Sequence, residues 1–87
     1  MVPDLAVEVV SPTDIAEDVV AKVGEYFTAG VRLVWLIYPR LRLVYAYRSA
    51  TQPQVLRRED RLEGGDVLPG FAVELSEILP PPAVQPE

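Results

Sequence analysis

Leu5-Ala6-Val7-Glu8-Val9-Val10, the Ser11-Pro12-Thr13-Asp14 break, and the run that carries Lys22 and stops at Gly30 decide the fold. The first piece is short and nearly all apolar, the look of a strand covered on both faces. Val2-Pro3 can only begin such a strand, because proline lacks the ladder donor. Ser11, Thr13 and Asp14 offer helix N-cap oxygens, and Glu17 and Asp18 place negative charge where a helix dipole favours it. The spacing predicts a helix from about Asp14 to Ala29. At about 100° per residue, Ile15, Ala16, Val19, Val20, Val23, Tyr26 and Phe27 fall in one core-facing arc roughly 140° wide.

A second strand apolar on both faces, Arg32 to Tyr38, follows the helix, so the unit is βαβ with parallel strands and a right-handed crossover. Pro39-Arg40 turns the chain into Leu41 to Arg48, where Leu41, Leu43, Tyr45 and Tyr47 alternate with Arg42, Val44, Ala46 and Arg48. That alternation fits an antiparallel partner with one face partly wet. Gln54 to Arg58 is a further short strand and Glu59 to Gly65 a charged turn. Asp66 to Leu68 and Phe71 to Leu75 flank Pro69-Gly70, whose order suits a type II turn. Ser76 is placed to cap a last helical turn before Pro80-Pro81-Pro82. The expectation is an α/β domain over residues 1–79 and a proline-rich disordered tail over 80–87. Trp35, Tyr45 and Tyr47 read as core and sheet-face residues, since no paired aromatic RNA-binding pattern accompanies them.

Composition narrows the chemistry. Eighty-seven residues suit one domain with a thin core, and the 49% hydrophobic content is that of a globular chain. No apolar run approaches the roughly 18 residues of a membrane span, and no secretory signal is evident, so a cytoplasmic location is expected. With no Cys and no His, disulfides, zinc fingers, thiol nucleophiles and imidazole bases are excluded. A bound metal would meet only oxygen ligands, which favours magnesium, manganese or calcium. The net charge of −5 argues against nucleic-acid coating by bulk charge. Between Val31 and Arg58, however, stand six arginines and no acid, either a local basic surface or ordinary decoration of strand ends.

Within the first strand Glu8 is the one charge among apolar neighbours, and a carboxylate so placed needs a partner. Lys22, the chain's only lysine, lies just off the apolar arc of the helix, from where it could bury its stem and aim at the sheet or simply snorkel beside Asp18. The other candidate partner is a metal ion. Asp4 shares the parity of Glu8 but lies roughly 13 Å away along the strand, too far to share one ion.

Pro3 to Asp14, Lys22 with Tyr26, Ala29-Gly30-Val31, Val34-Trp35-Leu36, Pro39 and Gly65 to Phe71 together resemble the Uma-two family of putative restriction endonucleases, of the restriction-endonuclease-like PD-(D/E)xK superfamily. The resemblance covers Pro3 to Leu79. It implies a mixed sheet with a βαβ core and an antiparallel hairpin. It also implies a metal site made of an Asp, an acid one strand later and a lysine two residues on. Glu8 matches the second acid, Val10 occupies the lysine place, and Lys22 stands where a migrated lysine would. Two departures are visible: Tyr38 replaces the Asp often found before the proline, and the family's preceding hairpin with its own Pro-Asp pair is missing ahead of Met1. The implied activity is Mg2+- or Mn2+-dependent hydrolysis of DNA phosphodiesters, Glu8 holding the metal and Lys22 orienting or helping to deprotonate the attacking water. With two site residues of at least three, the short chain is expected to be inactive alone. The rival reading is a truncated or degenerate nuclease-fold module that acts through homodimerisation.

Overall fold

The computed structural model describes residues 1–79; the expected tail over 80–87 lies outside the described residues. Strand β1 (Leu5–Val9) is followed by helix α1 (Ala16–Ala29), then by β2 (Leu33–Tyr38), β3 (Leu43–Tyr47), β4 (Pro53–Arg57), β5 (Arg61–Glu63) and β6 (Ala72–Glu74), and by a 3-10 turn over Leu75–Glu77. The first four strands form a mixed sheet in the order β1-β2-β3-β4, and β5 and β6 form a separate antiparallel hairpin. As the βαβ pattern requires, β1 runs parallel to β2, with Glu8 beside Leu36; β3 and β4 then add antiparallel.

The parity of β2 organises the layers. Val34 and Leu36 face α1 and pack with Ala6, Val23, Val31 and Tyr47. Leu33 and Trp35 face the other way, into a cluster with Val44, Leu56, Leu62, Leu75 and Leu79. The sheet is therefore sandwiched between the helix and the β5–β6 hairpin with its 3-10 turn, and Trp35 meets Phe71 at 5.5 Å between ring centroids. Both faces of β3 receive cover, the hairpin lying over Val44 and Ala46 while Tyr45 and Tyr47 pack on the helix side, yet Leu43, Tyr45 and Ala46 stay half-buried, in keeping with a partly wet face.

That hairpin corrects the sequence reading of 59–65. Arg61–Glu63, read as part of a charged turn, pairs with Ala72–Glu74, and Leu62 enters the core. Three residues with one apolar side chain between two charges carry no periodicity that a sequence window could detect. Asp66 to Leu68, the segment before Pro69-Gly70, belongs to the loop between β5 and β6 and is held by Leu68 N donating to Gly64 O. The turn at Pro69-Gly70 closes as its residues require, with Phe71 N donating to Leu68 O. The last turn spans Leu75–Glu77, and Ser76 lies within it instead of capping it.

Helix α1 starts two residues later than its polar signals suggest. Ser11 and Asp14 satisfy each other, Ser11 N donating to the Asp14 carboxylate at 2.8 Å and Asp14 N to Ser11 O. Ile15 is left as the extended N-cap without a side-chain cap bond. The buried stripe is also narrower than predicted: Val23, Val19, Tyr26 and Phe27 pack inward, whereas Ile15 and Val20 are exposed. At the other end Gly30 takes a φ of 106°, Gly30 N donates to Phe27 O and Val31 N to Tyr26 O, the paired bonds that close a helix with a left-handed residue.

Leu75 is fully buried at the centre of the hairpin-side cluster. Its replacement by Ala removes contacts that neighbours can only partly refill, so Leu75→Ala is expected to destabilise the chain by about 2–5 kcal/mol, read from urea denaturation midpoints. Loss of under half that range would show that this layer adds little to the core.

Candidate functional site

Three side chains converge where the carboxyl end of β1 passes under α1. Glu8 projects from β1 on the helix side, because even positions of the strand face α1, as buried Ala6 does. Lys22 and Tyr26 stand one turn apart on α1, so both reach the same spot. The Lys22 ammonium lies 2.9 Å from Glu8 Oε1, and the Tyr26 hydroxyl donates to that same oxygen. The ammonium also sits 6.0 Å from the Tyr26 ring centroid. The group borders a cavity of about 360 Å³ that Asp14 and Asp18 also line.

The predicted partners Glu8 and Lys22 are thus side by side, and Lys22 pairs with Glu8 rather than with its helical neighbour Asp18. Burial of the pair is corrected: the Glu8 side chain is 31% exposed and that of Lys22 54%. The reason is that β1 is an edge strand whose Val7 and Val9 are exposed, so it is not covered on both faces. Asp4 lies at the opposite end of β1, where its carbonyl accepts from Arg32 N and Leu33 N, and it takes no part in the cavity. Tyr26 was assigned to the core stripe alone; its i+4 spacing from Lys22 was the signal that it shares the site.

Electrostatics follow from these contacts. The Tyr26 hydrogen bond, then that of Lys22, holds the Glu8 carboxyl below its usual value against a small opposing effect of burial. Glu8 in turn raises Lys22, and its acceptance of the phenolic hydrogen bond raises Tyr26. At neutral pH the site therefore holds a carboxylate, an ammonium and a neutral phenol: one acceptor and two donors. The depressed Glu8 contributes stability above its unfolded value of 4.5, lost as pH falls through the lower folded value. The raised Lys22 and Tyr26 contribute below 10.5 and 10.0, lost as pH rises through their folded values.

A cation finds few ligands here. No group of three or more His, Cys, Asp or Glu close enough to hold a metal occurs among the described residues. Glu8 is the one carboxylate at the centre, and one of its oxygens is already engaged by the ammonium and the phenol. Among the described residues no helix is long and apolar enough to cross a membrane.

Comparison with known proteins gives a family and a fold. A family model, Uma2, described as "Putative restriction endonuclease", matches residues 1–76. One similar solved structure is that of "a putative nuclease belonging to DUF820" from Anabaena variabilis, with a TM-score of 0.77 and 19% identity over 90% of this chain and 44% of that one. The chain thus spans less than half the length of that protein, and at such identity the likeness is one of fold. No curated protein matches the chain.

Replacing Tyr26 by Phe removes the donor with the largest effect on Glu8. In a carboxyl-carbon NMR titration, Glu8 is expected to titrate below an ordinary carboxylate and to move up toward 4.5 in Tyr26→Phe, with stability lost at neutral pH and the difference from the parent closing in acid, where Glu8 is protonated in both. An unshifted Glu8 in the variant would show that the phenol does not hold it.

Proposed function

Because the chain belongs to the Uma2 family of "putative restriction endonucleases", we propose that the Glu8–Lys22–Tyr26 cluster is a phosphodiester-hydrolysing site, dependent on Mg2+ or Mn2+ and too sparse to work within a single chain. The observation that supports this reading is the pairing of the only lysine with the only charge of β1 at the mouth of a cavity. Lys22 is held protonated by Glu8, so its role is to stabilise charge developing on a phosphate oxygen rather than to take a proton from water. Tyr26 donates its single phenolic proton to the carboxylate and so orients it. Glu8 is the residue that would hold a divalent cation, which when bound supplies charge neutralisation and a more acidic water. Magnesium tolerates so small a protein contribution because it keeps several waters and accepts substrate phosphates, but one carboxylate shared with an ammonium binds it weakly.

A second reading, a non-catalytic module acting through homodimerisation, is favoured by one observation. β1 is an edge strand, with Val7 and Val9 47% and 63% exposed on the face away from α1. Asp4 O and Val10 N bond inward to the β2 side, so by alternation Leu5, Val7 and Val9 turn their free backbone groups outward. Such an edge invites a second copy.

Two measurements divide these readings. Purified chain incubated with supercoiled plasmid and Mg2+ or Mn2+ is expected to nick no faster than the Glu8→Ala and Lys22→Ala variants, while a magnesium titration shifts the Glu8 NMR signal only weakly; nicking that needs both residues would overturn the single-chain inactivity, and a silent Glu8 would remove the metal. Analytical ultracentrifugation at tens of micromolar is expected to show a dimer that Val9→Lys dissociates. A clean monomer would sink the association.

A further inference from the structure

The six arginines between Val31 and Arg58 do not gather on one face; the topology sorts them to the two ends of the sheet. β1, β2 and β4 all run in one direction, since β3 is antiparallel to both of its neighbours. The pairings Val9 with Ile37, Tyr38 with Leu43 and Leu43 with Arg57 then draw a row across one end of the sheet, beginning at the strand that carries Glu8. Arg40 and Arg42 lie in the turn that joins β2 to β3 at this end, and Arg57 and Arg58 at the close of β4. Arg32 and Arg48 stand at the far end, around a separate cleft with Asp66.

The near end is also continuous as a surface. Val10, Asp14 and Val19 line both the Glu8 cavity and a neighbouring groove that contains Tyr38 and Arg40, and Leu41 links that groove to a cleft bounded by Arg42, Arg57 and Arg58. Glu59 is the one acid lining that cleft. None of the four arginines has a carboxylate partner among the described residues, where the ion pairs are Lys22–Glu8 and Arg61–Glu74. Asp60, the other nearby acid, is engaged by the backbone N of Arg57.

Two features suggest that the cleft is more than solvated strand ends. Arg42 is the one non-glycine residue with positive φ, 56°, among the described residues, a left-handed backbone that L side chains adopt at a cost and that marks functional turns. Arg58 has a buried Nε without a hydrogen-bond partner, while its Nη2 reaches Ser76 O only at 3.4 Å. The guanidinium is thus weakly anchored within the fold, and Arg58 lines the cleft.

We propose that the arginine end of the sheet is a phosphate-backbone track: Arg40, Arg42, Arg57 and Arg58 hold a nucleic-acid strand whose scissile phosphodiester reaches the Glu8–Lys22–Tyr26 cavity. The inference rests on the reading of that cavity as a phosphodiester site. Three strand spacings separate β1 from β4, roughly 14 Å, which corresponds to about four nucleotides of one DNA strand at its rise of 3.4 Å. The length suits a strand that is gripped at the arginines and presented at Glu8. The localisation also explains how an acidic chain can meet a polyanion: four of its seven arginines share one sheet end, so the sum charge misrepresents the approach.

The test is binding in the absence of divalent cation, so that it does not depend on cleavage. Fluorescence anisotropy of the full chain with a short labelled DNA duplex, between about 50 and 200 mM salt, is expected to show salt-sensitive binding. The Arg42→Gly, Arg57→Gln double variant should bind about tenfold or more weakly at the lower salt and flatten the logarithmic salt slope by about 2. Arg32→Gln, at the opposite end, should change neither beyond about twofold. Glycine accepts the left-handed turn, so the double variant should keep the parent melting temperature, and Glu8→Gln should bind at least as tightly as the parent. Equal weakening by Arg32→Gln, an unchanged slope in the double variant, or no binding by the parent chain would overturn the track. Binding that follows these expectations without any cleavage would leave the track standing and count against the catalytic reading alone.

Discussion

The constraint on which the rest of the molecule depends is the double burial of β2. A strand apolar on both faces has to be covered twice, and in 79 described residues the chain has one helix and one small hairpin with which to do it. Val34 and Leu36 take the helix, Leu33 and Trp35 take the hairpin, and the two clusters stay separate because successive side chains of a strand point to opposite faces. Each of the other strands inherits its two faces from this choice. β3 is covered on both sides because it lies next to β2, whereas β1, at the edge, receives the helix over Ala6 and leaves Val7 and Val9 exposed.

The site is a by-product of the same packing. Once Val23 is fixed over β2, the residues one helical position and three positions away from it, Lys22 and Tyr26, overhang β1, and the one charge of that strand lies beneath them. A carboxylate that accepts from an ammonium and a phenol at a single oxygen is a compact, polarised group, with its ionised form favoured by both donors. It is also half open, which limits the strength of the pair: solvent screens an ion pair at such exposure, and its worth lies more in fixing side-chain direction than in holding the fold.

Mixed strand direction has a consequence of its own for charge. Because β1 and β2 are parallel while β3 reverses, the carboxyl end of β2 meets the amino end of β3 across a tight turn, and the carboxyl end of β4 returns to the same rim. Arginines scattered over nearly thirty positions of sequence thereby split into two groups, and the larger one shares its rim with Glu8 and Lys22. A basic block that the sequence presents as one run is thereby divided between two ends of the sheet.

How much of this was legible depends on whether the signal was local. The βαβ unit, the parallel pairing of β1 and β2, the stop at Gly30 and the turn at Pro69-Gly70 were readable because each follows from a run of residues or from a backbone geometry that one residue permits. Glu8 and Lys22 could be singled out as the odd charges of their elements, and their proximity followed from the adjacency of strand and helix. What the sequence could not determine was what covered the sheet from the other side. Arg61–Glu63 carries too short a pattern to announce a strand, yet it places Leu62 in the core only because Ala72–Glu74, eleven residues on, pairs with it. The same holds for Tyr26, which the helical wheel assigns to the core and which the tertiary structure assigns to Glu8 as well, and for the partly exposed state of the site. Burial, hydrogen-bond choice and the gathering of distant charges are properties of neighbours in space, and a sequence names those neighbours only after the chain has folded.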